Sequence, residues 1–75
     1  MSVTERITID PKICHGKPVV RGTRVPVSVL VGSLAAGMTP EQITREYDVT
    51  TEDIRAALEF ATSLIERDNY HPLPG

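Results

Sequence analysis

Residues 27–36 read Val-Ser-Val-Leu-Val-Gly-Ser-Leu-Ala-Ala, a run without one charged side chain in a chain of only 75 residues. Pro26 stands just before it, where a missing N–H is harmless to a first helical turn, and Gly37 follows as a helix stop. The run predicts a helix that is apolar on nearly every face, and such a helix needs cover on nearly every side. A domain this small has trouble supplying that cover from its own chain. A homodimer is therefore expected, with Val27, Val29, Leu30, Val31 and Leu34 at its contact. The competing arrangement is a central helix wrapped by the rest of the same chain.

The segments on either side set the fold class. Arg6-Ile7-Thr8-Ile9 alternates polar and apolar residues and reads as a short, half-buried strand. Asp10-Pro11 breaks it, and Pro18-Val19-Val20-Arg21 reads as a second strand, with Gly22-Thr23 bending the chain behind it. The two strands make a loose β-ribbon. Further on, Thr39-Pro40-Glu41-Gln42 is a helix start in which Thr39 caps and Gln42 reaches back to the cap. That helix runs to Tyr47 and buries Ile43 and Tyr47. Asp48-Val49 turns the chain, and Thr50 caps a third helix over 51–67. On this helix Ile54, Ala57, Leu58, Ala61 and Ile65 fall on one face. Ala56, Phe60, Leu64 and Arg67 form a second, partly apolar stripe. The expected fold is mainly α: one domain, with a ribbon arm over 1–25, a three-helix homeodomain-like helix-turn-helix unit over 26–68, and a tail over 69–75 whose two prolines exclude a helix.

Charge is distributed unevenly. The net charge is −2. Residues 1–24 hold five bases and two acids, whereas residues 25–75 hold three bases and eight acids. An electrically two-ended molecule suggests different partners for its two ends. There is one cysteine, so no internal disulfide can form and a reducing, cytoplasmic setting is expected. No stretch of about 18 apolar residues is present to span a membrane.

A helix pair joined by a tight turn is the pattern of helix-turn-helix DNA readers, and Thr51 and Arg55 would lie near the exposed start of the reading helix. That helix is acidic, however, and phosphates are held mainly by Lys and Arg. The basic ribbon is better suited to DNA: Lys17, Arg21 and Arg24 are its candidate contacts, and a two-stranded ribbon fits the major groove. At the acidic end, Phe60 and Leu64 with Tyr70 and Leu73 of the tail are candidate contacts for a protein partner.

Catalysis has little support. Cys14 and His15 are adjacent, and in an extended segment adjacent side chains point to opposite sides. No further Cys or His stands at zinc spacing. Gly16-Lys17 lacks the preceding glycine and following Ser or Thr of a phosphate loop. No enzyme activity, cofactor or metal is expected.

Across residues 6–61 the chain resembles the family known as domain of unknown function 433. The resemblance is carried by Asp10-Pro11, Gly16-Lys17-Pro18, Arg21-Gly22-Thr23-Arg24, Pro26-Val27, Gly37, Ile54-Arg55-Ala56-Ala57-Leu58 and Phe60-Ala61. Where many members place a glycine pair before Lys-Pro, this chain has His15-Gly16. The resemblance implies a β-ribbon followed by a homeodomain-like three-helix unit. It also implies an antitoxin-like role, in which the partner is a PIN-like ribonuclease toxin; binding to its own operator DNA is expected beside it from the basic ribbon. Two other readings fit the same residues: a stand-alone helix-turn-helix DNA-binding regulator, and a dimerising module that binds no DNA.

Overall fold

A computed structural model describes residues 5–67 of the chain. The order of elements is β1 (Ile7–Thr8), a single 3-10 turn (Cys14–Gly16), β2 (Val19–Val20), α1 (Val27–Ala35), α2 (Pro40–Tyr47) and α3 (Thr51–Arg67). The fold is mainly helical, with a short antiparallel two-stranded ribbon ahead of three helices. Asp68 and the tail, with its candidate contacts Tyr70 and Leu73, lie outside the described residues.

The ribbon is narrower than the alternation predicts. β1 pairs with β2 in the register Ile7 to Val20 and Thr8 to Val19. Ile9 does not continue β1 and is 51% exposed, against 0% for Ile7. The chain leaves the ribbon at Asp10, whose carbonyl accepts from the Ile13 amide at 2.8 Å and whose carboxylate accepts from the Lys12 amide at 2.9 Å. These bonds turn the backbone away at the point where Pro11 could not donate to a ladder. Ile7, Val19 and Val20 are all buried, and Ile7 and Val20 join the helices in one core with Val27, Leu30, Ile43, Val49, Ile54, Ala57 and Phe60. The ribbon is therefore packed onto the bundle through its apolar residues.

Cys14 and His15 are not extended. Their φ values are 50° and 58°, and Gly16 follows at 82°, so three successive residues occupy the left-handed region. The turn closes by bonds from the Gly16 amide to the Ile13 carbonyl and from the Lys17 amide to the Cys14 carbonyl. The expectation of an extended Cys14-His15 segment fails because these local bonds fold it into a turn.

α1 begins at Val27, one residue later than a helix opened by Pro26 itself. Pro26 occupies the N-cap position with extended backbone, forms a bridge to Val19, and leaves the Val27 amide to donate to the Pro18 carbonyl at 2.9 Å. The ribbon thus satisfies a helix-start donor that no side chain caps. The helix ends in a Schellman arrangement: the Met38 amide donates to the Ser33 carbonyl and the Gly37 amide to the Leu34 carbonyl, with Gly37 at φ 102°. α1 is not covered on all sides within one chain. Val27 and Leu30 are buried, Val29, Val31 and Leu34 are half-buried, and Ser28, Gly32 and Ala35 are exposed.

α2 opens on the predicted capping box: the Thr39 hydroxyl accepts from the Gln42 amide at 3.1 Å and the Gln42 side chain accepts from the Thr39 amide at 2.9 Å. It ends at Asp48, which takes the left-handed conformation at φ 57°. Ile43 is buried and Tyr47 half-buried, on the face that the i, i+4 spacing predicts. α3 opens on a second capping box. The Thr50 hydroxyl accepts from the Asp53 amide at 3.1 Å, and the Asp53 carboxylate accepts from the Thr50 amide at 3.0 Å.

The core face of α3 differs from the predicted stripe. Ile54, Ala56, Ala57 and Phe60 are buried, whereas Leu58 and Ile65 are 43% and 53% exposed. Ile54 and Ala57 keep their predicted positions. Leu58 and Ile65 emerge because burial of Ala56 and Phe60 centres the core face on the Ala57–Phe60 side of the helix, and at about 3.6 residues per turn both lie off that side. Beyond Phe60 the same face is left partly open to water.

Candidate functional site

Two surfaces stand out, one basic and one apolar. The basic surface is the hairpin that follows β2. The Thr23 amide donates to the Val20 carbonyl at 3.0 Å across Gly22, whose φ of 83° is the left-handed value that a type II turn needs at its third position. The Thr23 hydroxyl also donates to the Val20 carbonyl and accepts from the Val25 amide, and the Val20 amide donates to the Val25 carbonyl. This tight loop leaves Arg21 and Arg24 exposed at its tip. Lys17 is exposed where the chain enters β2. Arg21 is anchored twice on the strand opposite: its amide donates to the Arg6 carbonyl at 2.7 Å, and its guanidinium Nε donates to the Glu5 carbonyl.

Thr51 and Arg55 are both exposed on the first two turns of α3. They share that face with acids. Arg55 lines a shallow cleft with Glu5, Arg6, Glu52 and Glu59, floored by Ala56. One acid of the helix is neutralised by the fold: the carboxylate of Asp53, in a side chain only 13% exposed, meets the Arg6 guanidinium at 3.2 Å. This pair joins residues 47 positions apart. Neither Arg21 nor Arg24 forms an ion pair with an acid of α2 or α3 among the described residues.

The apolar surface is a groove of about 450 Å³ between α1 and the second half of α3, lined by Val27, Val31, Phe60, Ala61 and Leu64, with Lys17 and Pro18 at its ribbon end. Phe60 was expected as an exposed partner anchor. It is instead 4% exposed and belongs to the core, so it floors the groove and does not project from it. Its position on the α1-facing side of α3 accounts for this. Leu64, at 40% exposure, forms the groove's accessible wall. Of the residues expected at a dimer contact, Val27 and Leu30 turn inward within the single chain, while Val29, Val31 and Leu34 stay partly accessible.

Cys14 is a free thiol, half-buried, whose Sγ lies 3.5 Å from the Arg24 carbonyl. No group of three or more His, Cys, Asp or Glu side chains able to hold a metal ion occurs among the described residues. No helix among them is long and apolar enough to cross a membrane. The Arg6–Asp53 pair is the feature that sequence reasoning missed. Asp53 is recognisable as a helix-start acid, but no local signal connects it with Arg6.

Residues 7–61 match the family described as "Protein of unknown function (DUF433)". Among curated proteins, the chain is 43% identical over 58 residues to "Uncharacterized protein y4eO" of Sinorhizobium fredii, covering 76% of this chain and 26% of that protein. It is 36% identical over 53 residues to the Mycobacterium tuberculosis protein named "Putative antitoxin VapB45", covering 71% of this chain and 22% of that one. The chain thus spans about a quarter of the length of these curated relatives. Among solved structures, a DUF433 member from Anabaena variabilis superposes with a TM-score of 0.77 at 30% identity, over 87% of this chain and 65% of that one. Rv2018 of Mycobacterium tuberculosis superposes with a TM-score of 0.64 at 36% identity, over 69% of this chain and 24% of that one. The fold and the profile match over most of the chain agree: this protein belongs to the DUF433 family.

Proposed function

We propose that this chain is an antitoxin-like binding module, which neutralises a PIN-like ribonuclease toxin and binds the DNA upstream of its own gene. The observation that carries the reading is the open apolar groove between α1 and the second half of α3, lined by Val27, Val31, Phe60, Ala61 and Leu64, with Leu64 40% exposed. Apolar side chains gathered on one face and left partly in water mark a binding surface. Glu59 and Glu66 are exposed on the side of α3 beyond Leu58 and Ile65. A nuclease that binds RNA presents basic surface around its active site, and an acidic partner is drawn to it. The likeness to a protein named as an antitoxin supports the class of partner.

DNA binding belongs to the other end. Lys17, Arg21 and Arg24 are exposed and offer the cationic contacts on which phosphate binding depends. α2, the connection over 48–50 and α3 follow one another as in a helix-turn-helix, with Thr51 and Arg55 on the outer face. A homodimer would present two such ribbons and cover part of α1 through Val29, Val31 and Leu34. The reading of a stand-alone DNA-binding regulator is favoured by these same exposed bases.

The test is co-expression with the product of the neighbouring gene, which this reading expects to be a ribonuclease. The expected result is a complex that survives purification and suppresses RNA cleavage, and Leu64→Asp is expected to abolish capture while leaving the helical spectrum intact. A wild-type chain that shifts its upstream DNA but captures no nuclease would instead support the regulator.

A further inference from the structure

In this fold the basic hairpin and the start of α3 are physically joined. Arg6 sits at the joint. Its guanidinium meets the Asp53 carboxylate at 3.2 Å, and the other oxygen of that carboxylate accepts from the Thr50 amide at the head of α3. Its carbonyl accepts from the Arg21 amide at 2.7 Å, and the carbonyl of its neighbour Glu5 accepts from the Arg21 guanidinium. Glu5 and Arg6 also line the cleft that contains Arg55. The hairpin base Arg21 is therefore bonded to the two residues that share a cleft with the helix base Arg55, and the Arg6–Asp53 pair ties those residues to the helix.

We propose that Arg6 is a positioning residue that fixes the hairpin Arg21–Arg24 against the first two turns of α3, so that the two form one docking surface for duplex DNA. This rests on the DNA-binding part of the proposed function. Duplex DNA is the occupant that the charges favour. Lys17, Arg21, Arg24 and Arg55 are exposed against Glu5, Glu52 and Glu59, and the Asp53 carboxylate is paired with Arg6. Glu52 and Glu59 on the outer face of α3 repel phosphate. They limit the helix's share and leave most of the affinity to the hairpin. A fixed spacing between Arg21 and Arg55 matters because two phosphate contacts reinforce one another only if both are in place before docking.

The experiment measures binding of a fluorescent 40-base-pair duplex, taken from directly upstream of the gene, across a potassium chloride series. Arg21→Ala and Arg55→Ala should each weaken binding and each flatten the salt dependence by about one unit of slope, as lost phosphate contacts do. Arg6→Gln should weaken binding about fivefold to tenfold with an unchanged slope, and Arg6→Lys should restore most of it. The losses from Arg21→Ala and Arg55→Ala should be coupled in the parent chain and additive once Arg6 is Gln. Asp53→Asn keeps an acceptor for the Thr50 amide while removing the charge. It should reproduce Arg6→Gln, and it decides the matter if Arg6→Gln fails to fold. Unchanged affinity in the folded variant, or a flattened slope, overturns the positioning role while leaving DNA binding intact. A parent chain that binds this duplex no better than a random one overturns the DNA reading and the inference together.

Discussion

Replacing Phe60 with alanine separates the two roles that this side chain could have had. Phe60 is 4% exposed and packed in the cluster with Leu30, Ile54, Ala57 and the ribbon residues Ile7 and Val20. Truncation of a buried phenylalanine costs about 3–5 kcal/mol. The lower end applies here, because Phe60 floors a groove of about 450 Å³ that is open to solvent. Water can enter the vacated space, so no sealed cavity is left. The expected loss is thus about 3 kcal/mol. A 75-residue chain has a total stability of about 4–11 kcal/mol, and a small domain loses about 1 kcal/mol per molar urea, so the midpoint should fall by about 3 M. Leu64→Ala, at a side chain 40% exposed, should cost under about 1 kcal/mol. Urea titrations followed by circular dichroism at 222 nm, repeated at two protein concentrations to expose any contribution from association, give both values. A loss below about 1 kcal/mol for Phe60→Ala, or a larger loss for Leu64→Ala, would refute this account of the core.

Other outcomes follow from the same geometry. Lys17→Glu, Arg21→Glu and Arg24→Glu together should abolish binding to the upstream duplex in a mobility-shift assay while the melting temperature changes by only a few degrees, since all three side chains are exposed. Gly37→Ala should destabilise by about 1 kcal/mol in thermal melts, because φ is 102° there and the added methyl meets no atom within 4 Å, so the cost is conformational alone. Light scattering at micromolar concentration should return about twice the 8.2 kDa chain mass, and Val31→Asp with Leu34→Asp should return the single-chain mass.

The parts of this fold written in neighbouring residues were readable beforehand. Thr39 and Gln42 are three positions apart and form the predicted capping box; Gly37 ends α1 where its freedom at positive φ is needed. The bend at Gly22-Thr23 was readable too, but not whether Arg21 and Arg24 would stand free of the acids of α2 and α3. What was not readable depends on distance or on where the body ends. Periodicity puts Leu58 and Ile65 on the face of Ile54 and Ala57, but it cannot tell that the core meets the helix on the side of Ala56, Ala57 and Phe60 instead. It marks Phe60 as part of a second stripe without showing that this stripe meets α1. Cys14 and His15 carry none of the usual marks of left-handed backbone, apart from the Gly16 that follows them. The Arg6–Asp53 pair joins residues 47 positions apart, and only the docking of β1 on α3 brings them together.

The central claim is that the open apolar surface of α3, with α1, holds a ribonuclease partner. Its most direct measurement is the nuclease activity of the neighbouring gene product, purified and titrated with this chain. The account predicts that RNA cleavage falls to zero at a fixed molar ratio, and that Leu64→Asp, folded and helical, leaves cleavage untouched at the same ratio. Cleavage that continues unchanged in excess of the parent chain, or that Leu64→Asp inhibits equally well, would contradict it.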